Sequence, residues 1–207
     1  MSQKVKIESE IRHAQIVEAA IRRFCHFGIQ KTTLSEIADD LALSKQALYY
    51  YFPDKQTIMA AVSQKLANDY TQALHKISRD AVSVKDALIK LIKVKKSFFE
   101  KYFMLVGEAE SAESPFKKSA GDWKNRFNEE EIKMLKPIFE KGVATGELQP
   151  LDTAKTSALL LDTLYAFRKR VNEKAVPDTH LIHEVFAKQL EVTELFYNGL
   201  KTPTWKN

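Results

Sequence analysis

The stretch from Thr32 to Ile58, TTLSEIADDLALSKQALYYYFPDKQTI, leaves the chain few choices. Thr33 is a good helix N-cap, and Glu36 three residues later can reach back to close a capping box, so a helix starts there. Ile37, Ala38 and Leu41 give that helix one apolar face. It has no room to run on, because Leu43 and Ser44 follow within a turn and Ser44 is itself an N-cap for a second helix over Lys45 to Tyr51. Two short helices are therefore set about a tight corner.

That arrangement is a helix-turn-helix, in which the first helix braces across phosphates and the second lays its leading residues into a major groove. Lys45, Gln46 and Ala47 are placed to meet a duplex first. Gln pairs bidentately with adenine, Lys reaches guanine or a phosphate, and the Ala methyl suits a thymine methyl. Tyr49 and Tyr50 come next, with hydroxyls suited to phosphate oxygens. Pro53 halts the chain, and Asp54 and Lys55 open a long helix whose N-terminus, with Lys55 beside it, suits another phosphate. The candidate DNA contacts are thus Thr33, Ser44, Lys45, Gln46, Ala47, Tyr49, Tyr50 and Lys55. The same residues also fit ordinary caps and solvated polar groups, while Ile37, Ala38, Leu41, Leu48, Tyr51 and Phe52 fit the core of a three-helix unit.

In this register Ile16, Ala19, Ala20, Phe24, Gly28, Thr32, Thr33, Ile37, Ala38, Ser44, Leu48, Tyr49, Tyr51, Phe52 and Lys55 resemble the DNA-binding domain of the TetR family of bacterial transcriptional regulators. The chain departs from that pattern in its turn, where Ala42 stands in place of the usual Gly. This implies either a strained Ala or a turn with no left-handed residue. Gln46 and Ala47 also replace the family's common Gly and Thr or Ser, so a relative's operator does not transfer.

The rest of the chain is read as nearly all helix, given six Gly and six Pro in 207 residues and no lasting strand-like alternation. A first helix is expected from about Ile7 to Phe27 with Gly28 at its C-cap, preceded by a polar arm carrying Lys4 and Lys6. A fourth runs from Asp54 to about Ser78, and a fifth from the Ser83–Asp86 capping pair to about Met104. A short helix and a loop are expected between Val106 and Asp122. A seventh helix, capped by Asn128 with Glu131, carries Pro137 as a kink. The last two span about Asp152 to Lys174 and Asp178 to Leu200. Gly146, Glu147, Leu148 and Asp152 resemble the segment before the penultimate helix in TetR relatives. The expected fold is all-α, with a helix-turn-helix domain over 1–53 joined by a long helix to a helical effector-binding and dimerisation domain over 54–207.

A single recognition helix reads too few base pairs, so a two-fold protein on a palindromic double-stranded operator is expected. The last two helices carry surplus apolar surface for a four-helix homodimer interface: Leu160, Leu161, Leu164, Phe167 and Val171, then Ile182, Val185, Phe186, Leu190, Leu195 and Phe196, with Gln189 among them. These stripes equally suit closure of one chain's core. Phe98, Phe99, Tyr102, Phe103, Trp123, Phe127 and Tyr165 fit either a packed core or the apolar lining of a pocket, and the resemblance implies a small-molecule effector there.

The net charge of +5 agrees weakly with a polyanionic partner and would not identify one. No stretch approaches the roughly 18 apolar residues of a membrane span, and the start lacks a signal peptide's apolar core, so a cytoplasmic, nucleoid-associated protein is expected. The lone Cys25 fits a small buried residue better than a reactive thiol. No catalytic constellation, cofactor motif or metal set is evident: Glu10 with His13 is one isolated pair, and His180, His183 and Glu184 suit a solvated first turn. A ligand-released repressor is the leading reading. An activator of the same fold and a helical carrier with a disused helix-turn-helix are its rivals.

Overall fold

The computed structural model describes residues 3–110, 117–172 and 179–203, with side chains described for residues 3, 5–105, 125–167 and 180–203. Among these the fold is all-α. Eight helices stand in chain order: α1 (Gln3–Phe27), α2 (Leu34–Asp40), α3 (Lys45–Tyr51), α4 (Lys55–Asp80), α5 (Val84–Glu110), α6 (Lys117–Ala144), α7 (Thr153–Asn172) and α8 (Thr179–Leu200). Two compact units are present. The first comprises Met1–Asn68 with Lys101–Trp123, and the second Asp69–Glu100 with Lys124–Asn207, so α4 and α5 each supply residues to both.

In the first unit, α1 ends where Gly28 adopts a φ of 85° and donates its N–H to Phe24 O at 3.1 Å. Ile16, Ala20 and Phe24 of α1, Ile37 and Ala38 of α2, Leu48 of α3 and Ile58 and Val62 of α4 are fully buried. Burying a side chain such as Phe24 contributes roughly 2–3 kcal/mol. The Phe52 ring, 1% exposed, lies 4.5 Å from His13. Cys25 is a half-buried free thiol, and burial pushes its pKa up to about 11 against a smaller pull from Lys101.

In the second unit, the Gly146–Asp152 segment ties distant elements together. Gly146 ends α6 at φ 76°, and the Glu147 carboxylate accepts the Val84 N–H at 2.9 and 3.0 Å, capping α5 from 63 residues away. It also accepts the Tyr197 hydroxyl of α8 at 3.2 Å. Leu148, 2% exposed, crowds Gly142, where an added Cβ would stand 2.5 Å from Val84 Cγ2. Asp152 caps α7, accepting the Lys155 N–H at 3.0 Å.

Three expectations are corrected. The separate short helix before a seventh is absent: α5 continues to Glu110 and α6 runs unbroken from Lys117 through Pro137 to Ala144, with residues 111–116 outside the described set. The dihedral break lies instead in α5, at Tyr102 (φ −117°, ψ 15°). The first helix also starts earlier than expected, at Gln3 rather than near Ile7, because nothing in the polar lead-in breaks a helix.

Candidate nucleic-acid interface and effector site

Thr33 caps α2 as the spacing requires. Its backbone N–H donates to Glu36 Oε2 at 2.7 Å, its hydroxyl donates to the same oxygen at 2.8 Å, and the Glu36 N–H donates back to Thr33 Oγ1 at 3.3 Å. The Thr33 hydroxyl proton is therefore committed within the box. These bonds, the backbone N–H first, hold the Glu36 carboxyl below its ordinary range.

The corner after α2 is a Schellman closure built on alanine. Leu43 N–H donates to Ala38 O at 2.9 Å and Ala42 N–H to Asp39 O at 3.1 Å, with Ala42 left-handed at φ 51°. Of the two alternatives the sequence left open, the strained one holds. Ser44 then opens α3, its Oγ accepting the Ala47 N–H at 3.1 Å, which leaves its own proton for an outside acceptor.

On α3 the helical period sorts the side chains cleanly. Leu48 and, at the C-cap, Phe52 turn inward, while Lys45, Gln46, Tyr49 and Tyr50 are exposed, Tyr50 at 76%. Ala47 is half-buried. Tyr50 is steadied edge-on by Tyr51, ring centroids 5.2 Å apart. At the start of α4, Asp54 Oδ1 accepts both the N–H and the hydroxyl of Thr57 at 2.7 Å. That helix end thus carries its own carboxylate, and the Lys55 ammonium beside it reaches Gln30 O at 3.4 Å. The Thr57 N–H holds the Asp54 carboxyl below its usual range.

Sequence reasoning missed Arg23. From α1 it grips Asp40 bidentately, Nε to Oδ2 at 2.6 Å and Nη2 to Oδ1 at 2.7 Å, and its Nη1 stands 3.6 Å from Glu36 Oε1. The Arg23 hydrogen bonds hold the Asp40 carboxyl below its usual value. Nothing in the local sequence spacing links residues 17 apart on different helices, so the sequence carries no signal for this pair.

The aromatic residues expected around an effector divide between the units. Phe98, Phe99, Phe127 and Tyr165 belong to the second, Tyr102 and Phe103 to the first, and the Trp123 side chain lies outside the described residues. Phe98 and Phe127 meet around Tyr70 of α4, with centroids 5.0 and 4.6 Å from its ring, and Phe99 packs on Phe186. This cluster encloses an unexpected polar set. The Tyr70 hydroxyl donates to Glu131 Oε1, and Lys95 Nζ donates to both Glu131 oxygens at 2.6 Å. Glu131 is the one carboxylate fully buried among the described residues, 4% exposed. It was expected only as a cap partner of Asn128.

Of the residues expected at a dimer interface, Leu161, Leu164, Val185, Phe186 and Gln189 are buried within the chain itself, Phe167 and Phe196 are partly covered, and the Val171 side chain is outside the described set. The first group therefore packs the chain's own interior; Gln189 Nε2 donates to Leu164 O at 2.7 Å across the α7–α8 seam, and Gln189 Oε1 has no hydrogen-bond partner among the described residues. The apolar surface that these two helices turn outward is Leu159 (56% exposed), Leu195 (71%), Tyr165 and Leu190.

Residues 16–62, the span containing this corner, match the family model for bacterial regulatory proteins of the tetR family. This segment belongs to the TetR family. The chain is 35% identical over 66 residues to the HTH-type transcriptional regulator TtgR of Pseudomonas putida, and 34% identical over 55 residues to the probable acrEF/envCD operon repressor of Escherichia coli. These matches cover 32% and 27% of this chain and only 31% and 25% of those proteins. The crystal structure of a transcriptional regulator from Cytophaga hutchinsonii superposes over 97% of this chain and 100% of its own, with a TM-score of 0.80 at 24% identity, and so shares the fold. Among the described residues, no helix is long and apolar enough to cross a membrane.

Proposed function

We propose that this TetR-family protein is a DNA-binding transcriptional regulator, a homodimeric repressor that sits on a palindromic operator and leaves it when a small, largely apolar effector binds. One observation carries the reading. The first turn of α3 presents Lys45 and Gln46 to solvent while Leu48 and Phe52 anchor the same helix inside, as a groove-reading helix requires. Ser44 and Tyr50 flank that turn with hydroxyls for phosphates, and Thr33 serves the contact through its cap. The name of the Escherichia coli relative supports repression over activation.

The second subunit is read from the outward face of α7 and α8. Counting five residues away from the Gln189–Leu164 hydrogen bond along each antiparallel helix reaches Leu159 and Glu194, so Leu159 and Leu195 lie at one level. A second copy covering them would complete a four-helix contact. Leu159→Arg with Leu195→Arg is expected to yield a monomer in light scattering, with operator affinity lowered at least a hundredfold. A dimer that survived this pair would remove the assignment of that face.

The effector reading rests on the cluster around Glu131. A buried ion pair joining three helices is costly unless every partner is in place, so a ligand wedged among Tyr70, Phe98 and Phe127 has two arrangements to choose between. Because α4 supplies residues to both units, a preference for one arrangement can reach the DNA-binding unit, in proportion to the ratio of the ligand's affinities for the two states. The decisive experiment is a gel-shift titration on DNA flanking the protein's own gene, repeated across salt concentrations. Nanomolar-range specific binding is expected, weakening by roughly tenfold to a thousandfold as salt rises severalfold. Lys45→Ala with Gln46→Ala should abolish specificity and leave the dimer intact. Unchanged binding by that double variant would remove α3 from the groove.

A further inference from the structure

Helix α2 carries carboxylates on successive turns of one face, Glu36 in its first turn and Asp40 as its last residue. Like charges at that spacing repel, and an acid at a helix C-terminus also opposes the helix dipole. No basic residue of α2's last turn offsets either effect. The compensation comes from α1: one guanidinium takes Asp40 bidentately at 2.6 and 2.7 Å and faces Glu36 Oε1 at 3.6 Å. Glu36 Oε2 in turn holds Thr33 at the opposite end of the helix. A single side chain thus grips both ends of α2.

The turn just beyond Asp40 makes that grip consequential. The corner leading to α3 has no glycine, and Ala42 is held left-handed at φ 51°. Such a residue persists only where its surroundings over-determine it. The direction of α3 is set by the end of α2, four residues before the Ser44 cap.

We propose that Arg23 is a positioning residue for sequence recognition: by fixing both ends of α2 against α1, it aims the first turn of α3 at the bases through a strained alanine turn. This rests on the reading of α3 as the recognition helix and extends it to a residue that touches no DNA. Arg23 then governs how well the correct sequence is distinguished, not how strongly phosphate is held.

The probe is the best duplex that the wild-type protein selects from a randomised library, with a scrambled duplex as the non-specific reference. Arg23→Gln is expected to weaken binding to the selected duplex about tenfold, in the range found for coupled neighbours, and to leave scrambled-duplex binding unchanged. The slope of affinity against salt should stay as in wild type, because no phosphate contact is lost. Arg23→Lys, which keeps the charge and loses the fork, should fall between the two. The exchange Arg23→Asp with Asp40→Arg should recover part of the lost discrimination, which a general loss of folding would not allow. Equal losses on both duplexes with a salt slope shallower by about one would make Arg23 a phosphate ligand. An Arg23→Gln protein that melts earlier yet, when fully folded in the cold, discriminates as wild type would reduce the clamp to stability alone. Either result overturns the proposal. A wild-type protein that selects no sequence would instead fail the DNA-binding reading itself.

Discussion

At the α2–α3 corner the polar groups stand at helix ends in contact with water, Tyr50 being 76% exposed, whereas where α4, α5 and α6 meet Glu131 is 4% exposed and bonded to Tyr70, whose ring packs against Phe98 and Phe127. Both places use a carboxylate held by a cation. At the corner, Arg23 and Asp40 keep side-chain exposures of 20% and 35%. Solvent screens that pair, so its value lies in geometry. Lys95 and Glu131 have 16% and 5%, and there desolvation makes each partner dependent on the other. The first device orients a surface; the second can be opened only at a cost.

The largest effect that would test this contrast is in the buried set. Glu131→Ala removes the buried carboxylate that Tyr70 and Lys95 share and should lower stability by about 3 kcal/mol or more in urea unfolding. Replacing the whole set with Tyr70→Phe, Lys95→Met and Glu131→Leu should restore most of that loss while removing any ligand response. If Glu131→Ala were neutral, Glu131 would be no more committed than a surface carboxylate.

At the corner the steps are smaller. Ser44→Ala removes the cap of α3 and should cost about 1 kcal/mol. Ala42→Gly should act in the opposite sense, raising stability by roughly 0.5–1 kcal/mol by relieving the left-handed alanine. A lower melting temperature for Ala42→Gly would mean that the alanine is not strained.

The smallest and most diffuse effect is that of acid. Asp40, Glu36 and Asp54 all have folded-state carboxyl values below their ordinary ones, through the Arg23 hydrogen bonds, the Thr33 N–H and the Thr57 N–H respectively. A depressed carboxyl contributes stability that is fully present above its unfolded value, about 4, and is lost as pH falls through the folded value. The protein should therefore weaken below about pH 4. Arg23→Gln should flatten that decline, because Asp40 then titrates closer to its unfolded value. An identical decline in the variant would break the link.

The same contrast explains what the sequence disclosed. Thr33 with Glu36, Ser44, Gly28 and Asp152 are caps, and a cap acts over three or four residues, so spacing alone places helix ends and, with them, the corner. The buried set draws on Tyr70, Lys95 and Glu131, with Tyr70 and Lys95 separated by 61 and 36 residues from the carboxylate they share. No local period records such a meeting. Nothing local marks Lys95, and the spacing of Glu131 after Asn128 reads only as a cap. Between Val106 and Asp122, Gly107 and Gly121 with several serines imitate a loop, yet α5 and α6 extend into that stretch from either side. The stripes on α7 and α8 stay ambiguous for a related reason: apolar periodicity marks a helix's buried face without saying which chain buries it.

The elevated thiol value at Cys25 has a practical consequence. At neutral pH that sulfur stays protonated and reacts slowly with alkylating reagents. A second cysteine at an exposed position such as Lys31 or Asn198 can therefore be tagged selectively with a maleimide spin label or fluorophore, without first removing the native one. In the two-fold assembly proposed above a tag at Lys31 has one counterpart, so a single pairwise distance measured with and without a candidate small molecule becomes a direct gauge of the separation between two reading heads.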